Sequence, residues 1–158
     1  MKLLKKLYRY IKYSKHRKTM FLTFVYSSIF RFQVKFIAPK RLEKNWGIKD
    51  EETDVKETDK NYQYAAISGY AVNRICKHTP WESKCLVRAL TAQKLLRRKK
   101  ISSTLYLGCK EENGKMVAHA WLRCGELFVT GGNGEGYAVV SRYASKTSED
   151  QNVYNKRR

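Results

Sequence analysis

Near residue 100 the hydrophobic period of this chain changes, and that change limits the folds open to it. Ser83–Lys100 has a helical period, with Cys85, Ala89, Ala92 and Leu96 on one face. Beyond it the period is two. Leu105, Leu107 and Cys109 alternate, and in Met116–Arg123 the side chains of Val117, His119, Trp121 and Arg123 point one way. Leu127–Thr130 and Tyr137–Tyr143 read as two more strands, set off by turns at Gly125 and at Gly131-Gly132-Asn133-Gly134. Helices first and short strands after predict an α+β fold, with the Ser83 helix packed on an antiparallel sheet. The two alanines below Cys85 would let that sheet approach closely and bring a strand-borne histidine within reach.

Upstream, residues 2–16 place Leu3, Leu4, Leu7, Tyr8 and Ile11 on one face against lysines and Arg9, a basic amphipathic helix. Residues 19–37 are more apolar, but Arg31, Gln33 and Lys35 break the run short of the roughly 20 apolar residues of a membrane span. The stretch is expected to be a helix packed into the fold or on a partner, with a membrane-surface helix as the second reading. Pro39 is expected to end it. Residues 48–60 (IKDEETDVKETDK) read as an exposed linker, and Tyr62–Cys76 as a helix with one buried face. Ser83 is the expected N-cap of the next helix. The expected organisation is basic apolar helices at 1–47, an acidic linker at 48–60, a core at 61–145 and a polar tail at 146–158.

A chain of 158 residues is long enough for one domain with a real core. Lys and Arg number 33 against 14 Asp and Glu, a net charge of +19. Residues 1–49 hold 14 Lys/Arg and one acid, Glu43, whereas 50–60 hold six acids and two lysines. Such a surplus points to nucleic acid, anionic lipid or an acidic peptide, or simply to a solvated surface. Cys76, Cys85, Cys109 and Cys124 form no C-x-x-C and, with His16, His78 and His119, no paired metal spacing, so neither metal nor cofactor is expected. The N-terminus lacks a small-residue cleavage site after its apolar run. The expectation is a cytoplasmic protein with reduced thiols, at most peripheral at the inner membrane face.

Cys85 stands at the start of its helix, and His119 follows 34 residues later on a strand. A helix start offers unpaired N–H groups and roughly half a positive charge, which suit a negatively charged sulfur. A neighbouring imidazole can take the thiol proton and return it to a leaving amine. The bland alternatives are a buried structural cysteine and a hydrogen-bonded core histidine. Such a pair usually has a third group that orients the ring. If Arg123 pairs with Glu126 across Cys124-Gly125, His119 lies opposite Thr130; a one-residue change brings Gly131 opposite instead. Thr130 and Asn133 are the polar candidates, and neither carries the charge of an aspartate. Cys109 and Cys124, with no obvious base, read as structural.

Trp81-x-x-x-Cys85-Leu86-x-Arg88-Ala89-Leu90, Leu105-Tyr106-Leu107-Gly108, Ala118-His119-Ala120-Trp121-Leu122 and Val129-Thr130-Gly131-Gly132 resemble the lasso-peptide maturation B proteins, which are transglutaminase-like leader peptidases. The resemblance covers about residues 80–142. It implies a papain/transglutaminase-like core and an enzyme that cuts the leader from a ribosomally made precursor peptide. An asparagine-synthetase-like cyclase partner would then close the macrolactam. It also implies Cys85 as nucleophile and His119 as base, with Gly131 standing where the family carries its aspartate, twelve residues after the histidine. The chain looks too short for a leader-binding domain ahead of its helices, so a separate recognition protein is implied, and nucleic acid is not an expected partner. The competing readings are a non-enzymatic basic binding module and an acyl transferase acting through the same pair. Lys6-Leu7-Tyr8-Arg9-Tyr10-Ile11-Lys12-Tyr13 interleaves bases with aromatics in the way a stacking platform would.

Overall fold

A computed structural model describes residues 2–147, so most of the expected tail, residues 148–158, lies outside the described residues. The chain opens with α1 (Lys2–Tyr13) and α2 (Arg17–Phe36). Leu7 of α1 and Met20 of α2 join Ala71 and Ile75 in a small apolar cluster. Farther along α2, Tyr26, Phe30 and Val34 pack on the main core. The second helix is thus packed into the fold on one side. Ile37 leaves the helical region and donates its N–H to the Gln33 carbonyl at 2.8 Å. Pro39 lies beyond that end and opens a new short helix, α3 (Pro39–Leu42), because its fixed φ and missing N–H cost nothing at a first helical position.

Two longer helices follow. Thr58 caps α4 (Asp59–Cys76) by accepting the Asn61 N–H at 3.3 Å, which starts the helix three residues before Tyr62. Helix α5 spans Cys85–Arg98. The sheet comprises β1 (Ile48–Lys49), β2 (Ser103–Glu112), β3 (Lys115–Cys124), β4 (Leu127–Thr130) and β5 (Ala138–Ser145). Its order is β1-β5-β2-β3-β4, and every pairing is antiparallel. Helices α4 and α5 cover one face. Ala89, Ala92 and Leu96 of α5 meet Leu105, Ala120, Leu122 and Cys124 there, all buried. The α+β arrangement expected from the change of period is the one observed.

The acidic stretch is largely exposed, as expected, but it is not a free linker. It contributes β1, which pairs Ile48 with Ala144 and Lys49 with Tyr143, and it then runs along the sheet. Thr53 is buried, its N–H donated to Thr104 Oγ1 at 2.9 Å. Glu52 bridges Arg123 and Arg142 at 3.3 and 2.7 Å, and Glu51 pairs with Lys146. These acids look solvent-bound in sequence because their cations stand 71 to 95 residues downstream.

Candidate active site

Helix α5 begins at Cys85 itself. The residue before it, Lys84, is extended (φ −71°, ψ 172°) and makes no side-chain cap. Ser83, the expected cap, therefore sits one residue too early. Its carbonyl is taken instead by Arg88, whose Nε donates to it at 2.9 Å. The loop ahead is tied down by the Thr79 hydroxyl, which lies 3.3 Å from the Cys76 carbonyl and 3.1 Å from that of Trp81. Trp81 in turn packs on Phe24 of α2, ring centroids 5.2 Å apart. The first helical N–H with an in-helix acceptor at this end is that of Arg88, bonded to Lys84 O at 3.1 Å. The N–H groups of Cys85, Leu86 and Val87 are thus the orphan donors of a helix start. Cys85 is half-buried, with its side chain against the main core.

His119 lies on β3 opposite Gly108. Since Ala120, Leu122 and Cys124 pack under the helices, His119 belongs with Trp121 and Arg123 to the alternating set on the other face. Its ring stacks on Trp121 at 5.8 Å and leans on Tyr137 at 4.9 Å. Nε2 lies 2.7 Å from the Gly131 carbonyl oxygen. A carbonyl only accepts, so Nε2 carries the hydrogen, and in the neutral ring Nδ1 is left as the basic nitrogen.

Neither polar orienter expected from sequence does this work. Thr130 Oγ1 is buried without a hydrogen-bond partner, and Asn133 Oδ1 accepts the Glu135 N–H at 3.0 Å. Strand β4 pairs Leu127 with Cys124 across Gly125-Glu126, and a register shift after Arg123 brings Thr130 opposite Leu122. Past the end of that ladder, Gly131 turns its carbonyl to the ring. Gly131 has φ +78°, and a Cβ there would lie 2.5 Å from the Ala120 oxygen, so only glycine fits. A backbone carbonyl leaves no side-chain signature, which is why the sequence points to the position and not to the group.

Helix α5 packs on β3 as the two alanines lead one to expect, but His119 lies on the far face of that strand and is not brought to the thiol; among the described residues no hydrogen bond joins Cys85 to His119. Of the other cysteines, Cys124 is fully buried and its thiol is pushed up to about 12, chiefly by burial. Burial also raises Cys76, against smaller opposing effects of Ser83 and Arg88. Both stay neutral packing groups near neutral pH. Cys109 is half-buried on β2 opposite Ala118. No group of three or more His, Cys, Asp or Glu among the described residues is arranged to hold a metal ion.

The transglutaminase-like superfamily matches this chain over residues 41–142, from α3 through the Cys85 helix into β5. No curated protein and no solved structure matches it. That superfamily is typically one of cysteine-dependent enzymes, peptidases and acyl transferases. The matched segment is nearly two thirds of the sequence and includes both Cys85 and His119; the chain belongs to the transglutaminase-like superfamily.

Proposed function

We propose that this protein is a cysteine peptidase that removes the leader from a ribosomally synthesised lasso precursor peptide. It would act with a separate leader-recognition protein and ahead of an asparagine-synthetase-like cyclase. The observation that carries the reading is the His119 ring, fixed through Nε2 by the carbonyl of the residue where the lasso family has its aspartate, with Nδ1 left as the base.

This mechanism requires Cys85, on the helix side of β3, and His119, on its other face, to be brought together when the precursor binds. His119 Nδ1 takes the thiol proton, and the sulfur attacks the scissile carbonyl. The N–H groups at the start of α5 hold the resulting oxyanion. The imidazolium then protonates the departing amine, which leaves as the free amino terminus of the core peptide. Water, deprotonated by the same ring, hydrolyses the thioester and releases the leader.

Mass spectrometry of the precursor, incubated with this protein and the recognition protein, tests the reading. One cut at the leader/core junction is expected. Cys85→Ala should lower its rate by at least about 10³-fold, and His119→Gln by about 10²- to 10⁴-fold. An added amine that replaces water in the product would show an acyl transferase. No cut, with precursor and recognition protein shown to bind, would refute the peptidase.

A further inference from the structure

Helix α2 is apolar on two sides, and the fold covers only one of them. Met20, Thr23 and Ser27 are buried, and Tyr26, Phe30 and Val34 lean on the core. On the far side Phe21, Phe32 and Phe36 are 55%, 61% and 63% exposed, with Ile29 at 43%. At about 100° per residue these four fall within a sector of about 80°. The Phe32 and Phe36 rings lie 4.7 Å apart, so the stripe is continuous at its C-terminal end. An exposed apolar strip of this length on a folded helix marks a surface that something covers.

The charge around it narrows the choice. Residues 2–36 carry ten Lys/Arg and no Asp or Glu. Lys35 sits over the Phe36 ring at 5.2 Å, beside the stripe. Helix α1 turns Leu7 inward and leaves Lys5, Lys6, Arg9 and Lys12 exposed. Leu3 and Leu4, at 42% and 52%, protrude at its start. A protein partner is recognised by a polar rim of specific hydrogen bonds, whereas a field of one sign around aromatic side chains suits a layer of anionic headgroups over acyl chains. No described helix is long and apolar enough to cross a membrane, so the contact is interfacial.

We propose that the outer face of the α1–α2 pair docks on an anionic lipid bilayer. Helix α2 lies in the interface plane with Phe21, Phe32 and Phe36 among the upper acyl chains, and the Lys and Arg side chains reach the headgroups. This inference does not depend on the peptidase reading, because its test is binding and not turnover.

The test is flotation of the full chain with vesicles of phosphatidylcholine alone or mixed with phosphatidylglycerol. The mixed vesicles should bind at least about tenfold more tightly, and added salt should weaken that binding. Phe32→Ser/Phe36→Ser should lose about tenfold or more in partition with an unchanged thermal melt. Phe32→Trp, which keeps an interfacial ring, should bind like the wild type. No preference for the anionic vesicles would overturn the proposal. So would a well-folded serine variant that binds as tightly as the wild type, or sedimentation showing the stripe buried in a dimer that does not float.

Discussion

The two faces of strand β3 are held by different forces. Under the helices, Ala120, Leu122 and Cys124 are at most 2% exposed and gain their stability from apolar area removed from water. On the other face Arg123 is also buried, but polar partners meet its donors. Nε donates to Tyr106 Oη at 3.0 Å, Nη1 to the Gly125 carbonyl at 2.6 Å, and Nη2 to the Thr53 carbonyl at 3.0 Å and Glu52 at 3.3 Å. His119 sits on this second face, its ring fixed by one hydrogen bond and two aromatic neighbours. The apolar face sets where the strand lies. The polar face can bury a guanidinium because each of its donors has a partner.

Substitutions on each face would break or sharpen this contrast. Leu122→Ala removes a fully buried side chain from the helix face and should cost about 3–4 kcal/mol in urea unfolding. A loss below about 1 kcal/mol would mean the helices are not the main support of the strand. Gly131→Asp would put a carboxylate at this position, but at φ +78° and against the Ala120 oxygen it should cost about 2 kcal/mol or more. The proposed leader cleavage should fall with it. A variant that is as stable as the wild type and cuts faster would show that the carbonyl is a poor substitute in an accommodating loop. Glu52→Gln should have the smallest effect, under about 1 kcal/mol in thermal melts, because this carboxylate is 39% exposed and screened by solvent. A loss above about 2 kcal/mol would place the acidic segment on a par with the core.

Local patterns were legible in the sequence, and long-range pairings were not. The change of period gave the helices, the strands and the faces of β2 and β3, since alternation and helical spacing report on a residue's near neighbours. The spacing shows the inward face of the Cys85 helix but not its start, because Lys84 goes extended and Arg88 takes the Ser83 carbonyl. Strand β1 is two residues long, and nothing in Ile48-Lys49 signals a strand. It exists because β5 offers an edge. The contact between His119 and Gly131 depends on a register shift in β4, which the spacing allowed without selecting.

The pairing of β1 with β5 also sets an order of events at the ribosome. Ile48 meets Ala144, so the strand near the start of the matched region has no sheet to join until the last strand has been made. Loop closure over that span is slow next to the local contacts of α4, α5 and the β2–β3 hairpin, which can form as they emerge. The same holds for Glu51 and Glu52, whose cations Lys146 and Arg142 are among the last residues of the domain to be synthesised. The acidic segment is therefore the final fastening on a nascent chain, and a protein truncated before residue 142 would contain both Cys85 and His119 while its sheet could not close.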